Sequence, residues 1–339
     1  MVRRPILVAA AVALLAVGPT VAGCGEKTEG GRSSPEGLEL VLDFYPNPDH
    51  AGIYLGLERG FFSDAGLDLE VATPADPAAP IKQVAAGQAD LAISYEPEVL
   101  LAREKGLDVV AVAAIVDRPL TSLIWLERSG LRTVEDLRGE TVATAGIPYQ
   151  DAYLRSILQR AGVPPEDVES VNVGLGLLPA VVGGQAAAML GGFRNVEGVD
   201  LRLRGLRPTV IPVDRLGVPR YDELVLVARG DRVAGDPEQI RLFIAALERG
   251  TAAAAADPAA ATEAVLEANT ALDPDLTAAE MRATLPLLSP PGEREPFGYM
   301  SPREWDEFIR WMRDNGVIAG LPAPGDVLTN ELLPGGPAG

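Results

Sequence analysis

The stretch from residue 38 to residue 54 constrains this chain more than any other. It begins as an apolar strand over 38–42 and is stopped by Pro46 and Pro48. Proline lacks an N–H and cannot continue a central strand. The chain restarts as a helix, because Ile53, Leu57 and Phe61 recur four residues apart and Tyr54 precedes Leu57 by three. Between strand and helix lie Asp43, Tyr45, Asn47, Asp49 and His50. Polar and aromatic groups at a strand's carboxyl end, facing a helix N-terminus, are where open α/β sheets take ligands. The same pattern also fits an ordinary strand–turn–helix corner, so the rest of the chain decides between the two.

The alternation continues. Residues 67–71 alternate apolar and acidic as a half-buried strand does, 81–86 form a helix closed by Gly87, and 90–95 form a buried strand. That strand delivers Tyr95, Glu96 and Glu98 at its carboxyl end, ahead of a helix over 98–105 and a β-branched strand over 109–116. Strand and helix in turn predict an α/β chain, with parallel strands and helices on both faces. A second series follows, with strands over 120–127, 141–144, 168–173, 186–190, 209–213 and 223–228. Its helices fall at Thr133–Gly139, 151–161 and 177–182. Tyr149 lies on one strand exit; Phe193, Arg194, Asn195 and Glu197 lie on another. From residue 237 the pattern is helical, over 240–256, 258–268, 278–285 and 302–315. One echo links the two series: Ala86 to Tyr95 lines up with Gly183 to Gly192, each a helix end, Gly-Gln-Ala and a buried strand. Two similar α/β halves are the expectation.

Composition removes several function classes. The net charge of −19 offers no basic patch for nucleic acid. One cysteine, Cys24, and one histidine, His50, exclude a Cys/His metal cluster and an intrachain disulfide. A Ser–His–Asp or Cys–His enzyme would have to use one of those two residues, and Cys24 has another role. Arg3 and Arg4 precede an apolar run, 6–17, too short to span a bilayer comfortably. Val21-Ala22-Gly23-Cys24 and a polar stretch come next. This resembles a bacterial lipoprotein signal, which implies cleavage before Cys24 and lipid on its sulfur. The division expected is a signal peptide over 1–23 and a flexible tether over 24–37.

Several blocks carry a family resemblance: Asp43-Phe44-Tyr45-Pro46-Asn47, His50-Ala51-Gly52-Ile53-Tyr54, Gly60-Phe61-Phe62, Gly87-Gln88-Ala89-Asp90 and Ser94-Tyr95-Glu96-Pro97-Glu98. Pro119-Leu120, Leu137-Arg138-Gly139, Phe193 to Gly198 and Tyr221-Asp222-Glu223-Leu224-Val225 extend it. Together they resemble solute-binding proteins of ABC importers, above all those for pyrimidine precursors of thiamine and their riboflavin-binding relatives. The resemblance implies the two-lobed periplasmic-binding-protein fold of type II, with two parallel-type sheets flanked by helices and a hinge of two crossover strands. Lobe one would be 38–120 with 223–339, and lobe two 121–222. It implies a flat nitrogen heterocycle held between the lobes, an ABC permease as partner, an extracytoplasmic lipoprotein anchored through Cys24, a monomer, and no cofactor. A fungal enzyme resembling the same family needs a cysteine-rich iron site, and one cysteine cannot make it.

A flat heterocycle needs aromatic faces and a few groups aimed at its ring nitrogens and amines. Tyr45, Tyr95, Tyr149, Phe193 and Tyr221 are the candidate faces, a concentration that stands out in a chain with 5% aromatic residues. Asp43, Glu98, Glu197 and Glu223 are candidate acceptors, Asn47 and Asn195 donate and accept, and Arg194 pairs with an anion or stacks. His50 either contacts the ligand or caps the helix corner. Glu96 and Asp222 are expected to face solvent, Phe61 and Phe62 to be core, and Trp305, Phe308, Trp311 and Met312 to seal the C-terminal helices on lobe one. A sensory binder of the same fold, a binder of another small organic anion, and an enzyme built on Glu98 and Glu197 are the alternatives.

Overall fold

The computed structural model describes residues 36–288 and 295–335. Cys24, the leader and residues 24–35 of the expected tether lie outside them.

β1 (Glu36–Val41) leads to a single 3-10 turn at Pro48–His50 and then to α1 (Ala51–Glu58). The turn is a capping box. Asn47 Oδ1 accepts the Asp49 N–H at 2.8 Å, and His50 Nδ1 accepts the Asn47 N–H at 3.2 Å. Pro48 sits where no N–H is needed. α2 (Phe61–Asp64), β2 (Leu67–Ala72), α3 (Pro80–Ala85), β3 (Leu91–Ser94), α4 (Glu96–Glu104) and β4 (Val109–Val116) follow. The chain then crosses through 117–120 into β5 (Thr121–Leu126), β6 (Thr141–Thr144), α5 (Pro148–Arg160) and β7 (Glu169–Asn172). Next come α6 (Leu177–Val182), β8 (Ala188–Phe193), α7 (Glu197–Leu203) and β9 (Pro208–Pro212). It returns through 213–223 to β10 (Leu224–Arg229). Six helices close the chain: α8 (Gly230–Gly235), α9 (Pro237–Ala256), α10 (Pro258–Ala268), α11 (Pro274–Thr284), α12 (Pro302–Asp314) and α13 (Pro324–Val327).

Two five-stranded sheets result, ordered β2-β1-β3-β10-β4 and β7-β6-β8-β5-β9. The echo in the sequence is structural: β3 and β8 each hold the middle of their sheet, and each follows a helix ended by a glycine at positive φ, Gly87 and Gly184. β1 runs parallel to β2 and β3, and β6 parallel to β7 and β8. β10 is antiparallel to β3 and β4, and β5 to β8 and β9. Each sheet is therefore mixed, where the strand–helix alternation predicts parallel strands throughout. The crossovers cause the difference. β4 ends, and β5 begins, at the edge where the parallel strands of both sheets finish, so a strand arriving there runs back the other way. The carboxyl ends of both sheets consequently face one junction, the position where α/β sheets take ligands.

β4, β5 and β10 are buried almost throughout and read as continuous apolar runs, as strands covered on both faces do. α1 packs on α9 and α10. The α1–α9 approach is set by glycine, since a Cβ on Gly52 would collide with Thr251 and one on Gly250 with the Gly52 carbonyl. Phe62 is core against Phe243, while Phe61 is half-buried under the Arg249 guanidinium. α12 does more than seal lobe one. Its Trp311 and Phe308 meet Tyr153 of α5 edge-on, and Ser156 Oγ donates to Asn315 Oδ1 at 3.0 Å. Among the described residues no helix is long and apolar enough to cross a membrane.

Candidate functional site

A slot lies where the two sheets face each other. From the first sheet's side come Asp43, Phe44 and Asn47 after β1, and Tyr95 after β3. From the other come Ala145 and Ile147 after β6, Tyr149 and Gln150 in the first turn of α5, Leu177 of α6, Gly191 and Phe193 of β8, and Val196 and Glu197 at the start of α7. The space among these side chains is about 430 Å³, of which the centre of a water molecule reaches about 30 Å³. One water centre needs about 10–15 Å³, so the slot as it stands has room for about two or three waters.

Asp43 anchors one end. Tyr95 donates its hydroxyl to Asp43 Oδ2 at 2.8 Å, and His50 Nε2 lies 2.9 Å from Asp43 Oδ1. Because His50 Nδ1 accepts the Asn47 N–H, the network assigns the ring proton to Nε2, which donates to Asp43. His50 is 1% exposed and both its nitrogens are occupied. It caps the corner and orients Asp43, and it does not line the slot.

Glu197 anchors the other end. Its Oε2 accepts the Phe193 N–H at 2.7 Å. Burial raises its carboxyl to about 7, with nearby Asp200 adding to the rise and the Phe193 N–H opposing it. Gln150 fixes the wall between: its Oε1 accepts the Ala145 N–H at 2.8 Å, and its amide lies so close to Gly191 that a Cβ there would collide. Gly191 also holds a φ of +115°, which favours glycine. Burial pushes the Tyr95 and Tyr149 hydroxyls well above their ordinary value, next by Asp43 for Tyr95 and by Glu223 for Tyr149, so both remain donors.

A wider vestibule adjoins the slot and shares Asn47, Val196 and Glu197 with it. Tyr45, Asp200, Arg204, Asp273 and Glu280 are among its walls, and the centre of a water molecule reaches about 420 Å³ of it.

Of the residues expected at the site, Asp43, Asn47, Tyr95, Tyr149, Phe193 and Glu197 meet at the slot. The others are elsewhere. Tyr45 walls the vestibule, and its neighbour Phe44, ring centroids 4.5 Å apart, takes the slot. Asn195 is buried and donates to Asp49 Oδ1 and to Thr284 Oγ1, each at 2.8 Å, tying the end of β8 to the β1 loop and to α11. Arg194 donates to the Pro119 carbonyl at 3.2 Å and lines a separate cavity with Arg118, Arg215 and Arg220. Burial, then Arg118, lower its pKa. Glu98 is buried in the first turn of α4 outside the slot, with Oε1 unpartnered, and burial raises it to about 7.

Tyr221 and Glu223 belong to the crossovers. Glu223 Oε2 accepts from the N–H groups of Leu120 and Thr121, both at 2.7 Å, and from the Tyr221 hydroxyl at 2.9 Å. Its Oε1 accepts the Thr121 hydroxyl at 2.8 Å. Glu96 and Asp222, expected in solvent, are buried beside it. Glu96 Oε2 accepts the Asp222 N–H at 2.7 Å, and Asp222 Oδ2 accepts the Trp305 indole N–H at 2.7 Å. Burial and then Asp222 raise Glu96 well above its ordinary value, and burial lifts Asp222 to about 7. Rings run on from the slot, from Tyr95 through Tyr149, Tyr153 and Tyr221 to Phe308 and Trp311, with successive centroids 4.9–5.7 Å apart. Part of the aromatic concentration in the sequence thus serves the crossovers.

Phe44, Gln150, Gly191 and the apolar walls Ile147, Leu177 and Val196 are the residues sequence reasoning missed. Phe44 had a signal, because the chain bends after β1 and strand alternation no longer decides which neighbour faces inward. Gln150 had a weaker one, standing beside Tyr149 in an expected exit loop. Among the described residues no group of His, Cys, Asp and Glu is arranged to hold a metal ion.

Two lobes, two mixed sheets and a slot at their facing carboxyl ends make this the periplasmic-binding-protein fold. The alkanesulfonate-binding protein SsuA of Xanthomonas axonopodis pv. citri, bound to MOPS, has the same fold, with a TM-score of 0.69 at 15% identity over 88% of this chain and 99% of that one. The chain belongs to the NMT1/THI5-like family, whose model matches residues 47–261. It is 34% identical over 297 residues to the formylaminopyrimidine-binding protein of Halalkalibacterium halodurans, covering 86% of this chain and 89% of that protein. It is 24% identical over 254 residues to a 4-amino-5-hydroxymethyl-2-methylpyrimidine phosphate synthase of Saccharomyces cerevisiae, covering 72% of this chain and 74% of that one.

Proposed function

We propose that this chain is the extracytoplasmic solute-binding protein of an ABC importer, held to the bacterial membrane by lipid on Cys24, and that its solute is a single-ring aminopyrimidine. The observation that carries this reading is the slot, lined by Phe44 and Tyr95 from one lobe and by Tyr149 and Phe193 from the other. Such a lining offers aromatic faces to a flat ring. Asp43 at one end or Glu197 at the other accepts from an exocyclic amine, and Asn47, whose Nδ2 already donates to the Tyr45 carbonyl, keeps one amide hydrogen for the ring edge. A riboflavin-sized ligand needs far more room in this slot than a single ring does. The relative named for formylaminopyrimidine binding supports the ligand class. The SsuA neighbour, named as a binding protein, supports capture and delivery over chemistry, as does the lower identity to the yeast synthase. In this reading the solute enters between the lobes, the lobes close on it, and a permease receives it.

The test is a thermal-shift panel of aminopyrimidines, thiamine, riboflavin and nucleobases. A ligand at about 100 times its dissociation constant adds about 2.7 kcal/mol of stability. An aminopyrimidine shift that disappears in Tyr149→Ala and Glu197→Ala is the expected result. No shift with any heterocycle overturns the reading. A gene neighbourhood with a sensor kinase in place of permease and ATPase genes would turn it toward a sensory binder.

A further inference from the structure

The vestibule beside the slot has a charge pattern that the ring alone does not use. Its walls carry Glu197, Asp200, Asp273 and Glu280 against one cation, Arg204. Arg204 is already committed: its Nη2 donates to Asp200 Oδ2 at 2.9 Å, and its Nε to the other oxygen. Asp273 is committed too, accepting the Leu276 N–H at 2.9 Å as the cap of α11. Glu280 differs from both. It is 4% exposed, lines the vestibule, and has no hydrogen-bond or ion-pair partner among the described residues. Its carboxyl therefore opens on the vestibule, where Arg204 attracts it without bonding to it. Glu197, Asp200 and Asp49 stand close enough to repel it. Tyr45 sets its ring in the same wall, its hydroxyl within the field of Glu197, Glu280 and Asp200. An aromatic wall beside unpartnered carboxylate is a setting for an organic cation.

We propose that the vestibule is a cation subsite, which takes a positively charged substituent on the ring held in the slot and turns away a phosphate ester. The proposal rests on the reading of the slot as a pyrimidine site, and the shared walls Asn47, Val196 and Glu197 make the two spaces neighbours. Burial and the three neighbouring carboxylates raise Glu280 to about 9, so it is protonated near neutrality until a cation arrives. A bound ammonium group restores its charge and gains a charge-assisted hydrogen bond. A phosphate meets the Asp200 and Asp273 carboxylates and an arginine already paired.

The experiment is isothermal titration of the full chain in detergent at pH 7.5 with three 4-amino-2-methylpyrimidines. They carry at C5 an aminomethyl, a hydroxymethyl or a phosphorylated hydroxymethyl group. The expected order is aminomethyl tighter than hydroxymethyl by about tenfold, with the phosphate about 100-fold weaker than hydroxymethyl. Glu280→Gln should narrow the first gap to about twofold or less. Equal affinities, or the phosphate binding tightest, overturn the cation subsite and leave the pyrimidine reading intact. If none of the three binds, the pyrimidine reading fails and a ring-free arm decides the subsite. Ethylammonium chloride, against sodium chloride at equal ionic strength, should raise the melting temperature of the wild type more than that of Glu280→Gln. Equal shifts in the two proteins overturn the subsite without reference to any ring.

Discussion

Glu197 and Glu223 are both buried glutamates near the junction of the lobes, and their surroundings differ. Glu223 accepts from four donors, three from Leu120 and Thr121 on one crossover and one from Tyr221 on the other. Nothing further can be offered to it. Glu197 is served only by backbone N–H groups, that of Phe193 and its own, and lines both the slot and the vestibule. A saturated carboxylate fixes the backbone that surrounds it. One that is only partly satisfied and opens on a cavity is held ready for a group from outside. Exposure does not separate the two; donor count and the presence of a cavity do.

Replacement of each glutamate breaks or confirms this comparison most directly. Glu223→Ala leaves four N–H or O–H donors of the crossovers without their acceptor and should cost about 3–5 kcal/mol in urea unfolding. Glu197→Ala should change stability by about 1 kcal/mol or less and weaken the best pyrimidine by about 10- to 150-fold. A small stability loss in the first, or unchanged binding in the second, would remove the distinction.

The next effect concerns pH and sharpens the comparison at a third glutamate, Glu98, which has neither donors nor a cavity. Its folded value of about 7 lies above its ordinary 4.5, because burial disfavours the charge. A group raised on folding contributes stability that is full below its unfolded value and is lost as pH rises through the folded one. Asp49 and Asp222, also near 7, act in the same direction. The melting temperature should therefore fall between pH 5 and pH 8. Glu98→Gln should recover about 3 kcal/mol of that loss at pH 8 and little at pH 5. A variant that follows the wild-type curve would show that Glu98 is solvated or paired in solution.

Smaller effects separate neighbours in the sequence. Phe44→Ala, which removes a wall of the slot, should weaken a neutral single ring by about 1–2 kcal/mol. Tyr45→Ala should shift the same ligand by less than about 0.5 kcal/mol, because its ring stands in the vestibule. Titration calorimetry on the two variants checks the order, and a reversed order would put Tyr45 over the ring. Arg194→Ala should leave affinity within about twofold, since its side chain occupies a separate cavity.

Much of the fold was legible because its signals are local. Prolines after 38–42 and apolar four-residue spacing after residue 50 gave the first corner; Gly-Gln-Ala ahead of two buried strands gave the two halves. The mixed sheets were not legible, because strand direction after a crossover depends on which edge the chain enters. At the site, Asp43, Asn47, Tyr95, Tyr149, Phe193 and Glu197 were legible as strand exits and helix starts. The same rule brought in Tyr221 and Glu223, which also sit at an exit and are spent on the crossover. It placed Glu96 and Asp222 in solvent, where packing of Trp305 buries them.

The sequence by itself determined the order of strands and helices, the capped corner at Asn47 to His50 and the family, since each depends on residues near one another in the chain. Only the tertiary structure decided which carboxylates are saturated and which open on a cavity. That depends on donors more than a hundred residues away, such as those of Leu120 and Thr121 on Glu223, and on the space left when two lobes close. Hydrogen bonds act over about 3 Å, and no spacing in the sequence records which distant groups will come that near.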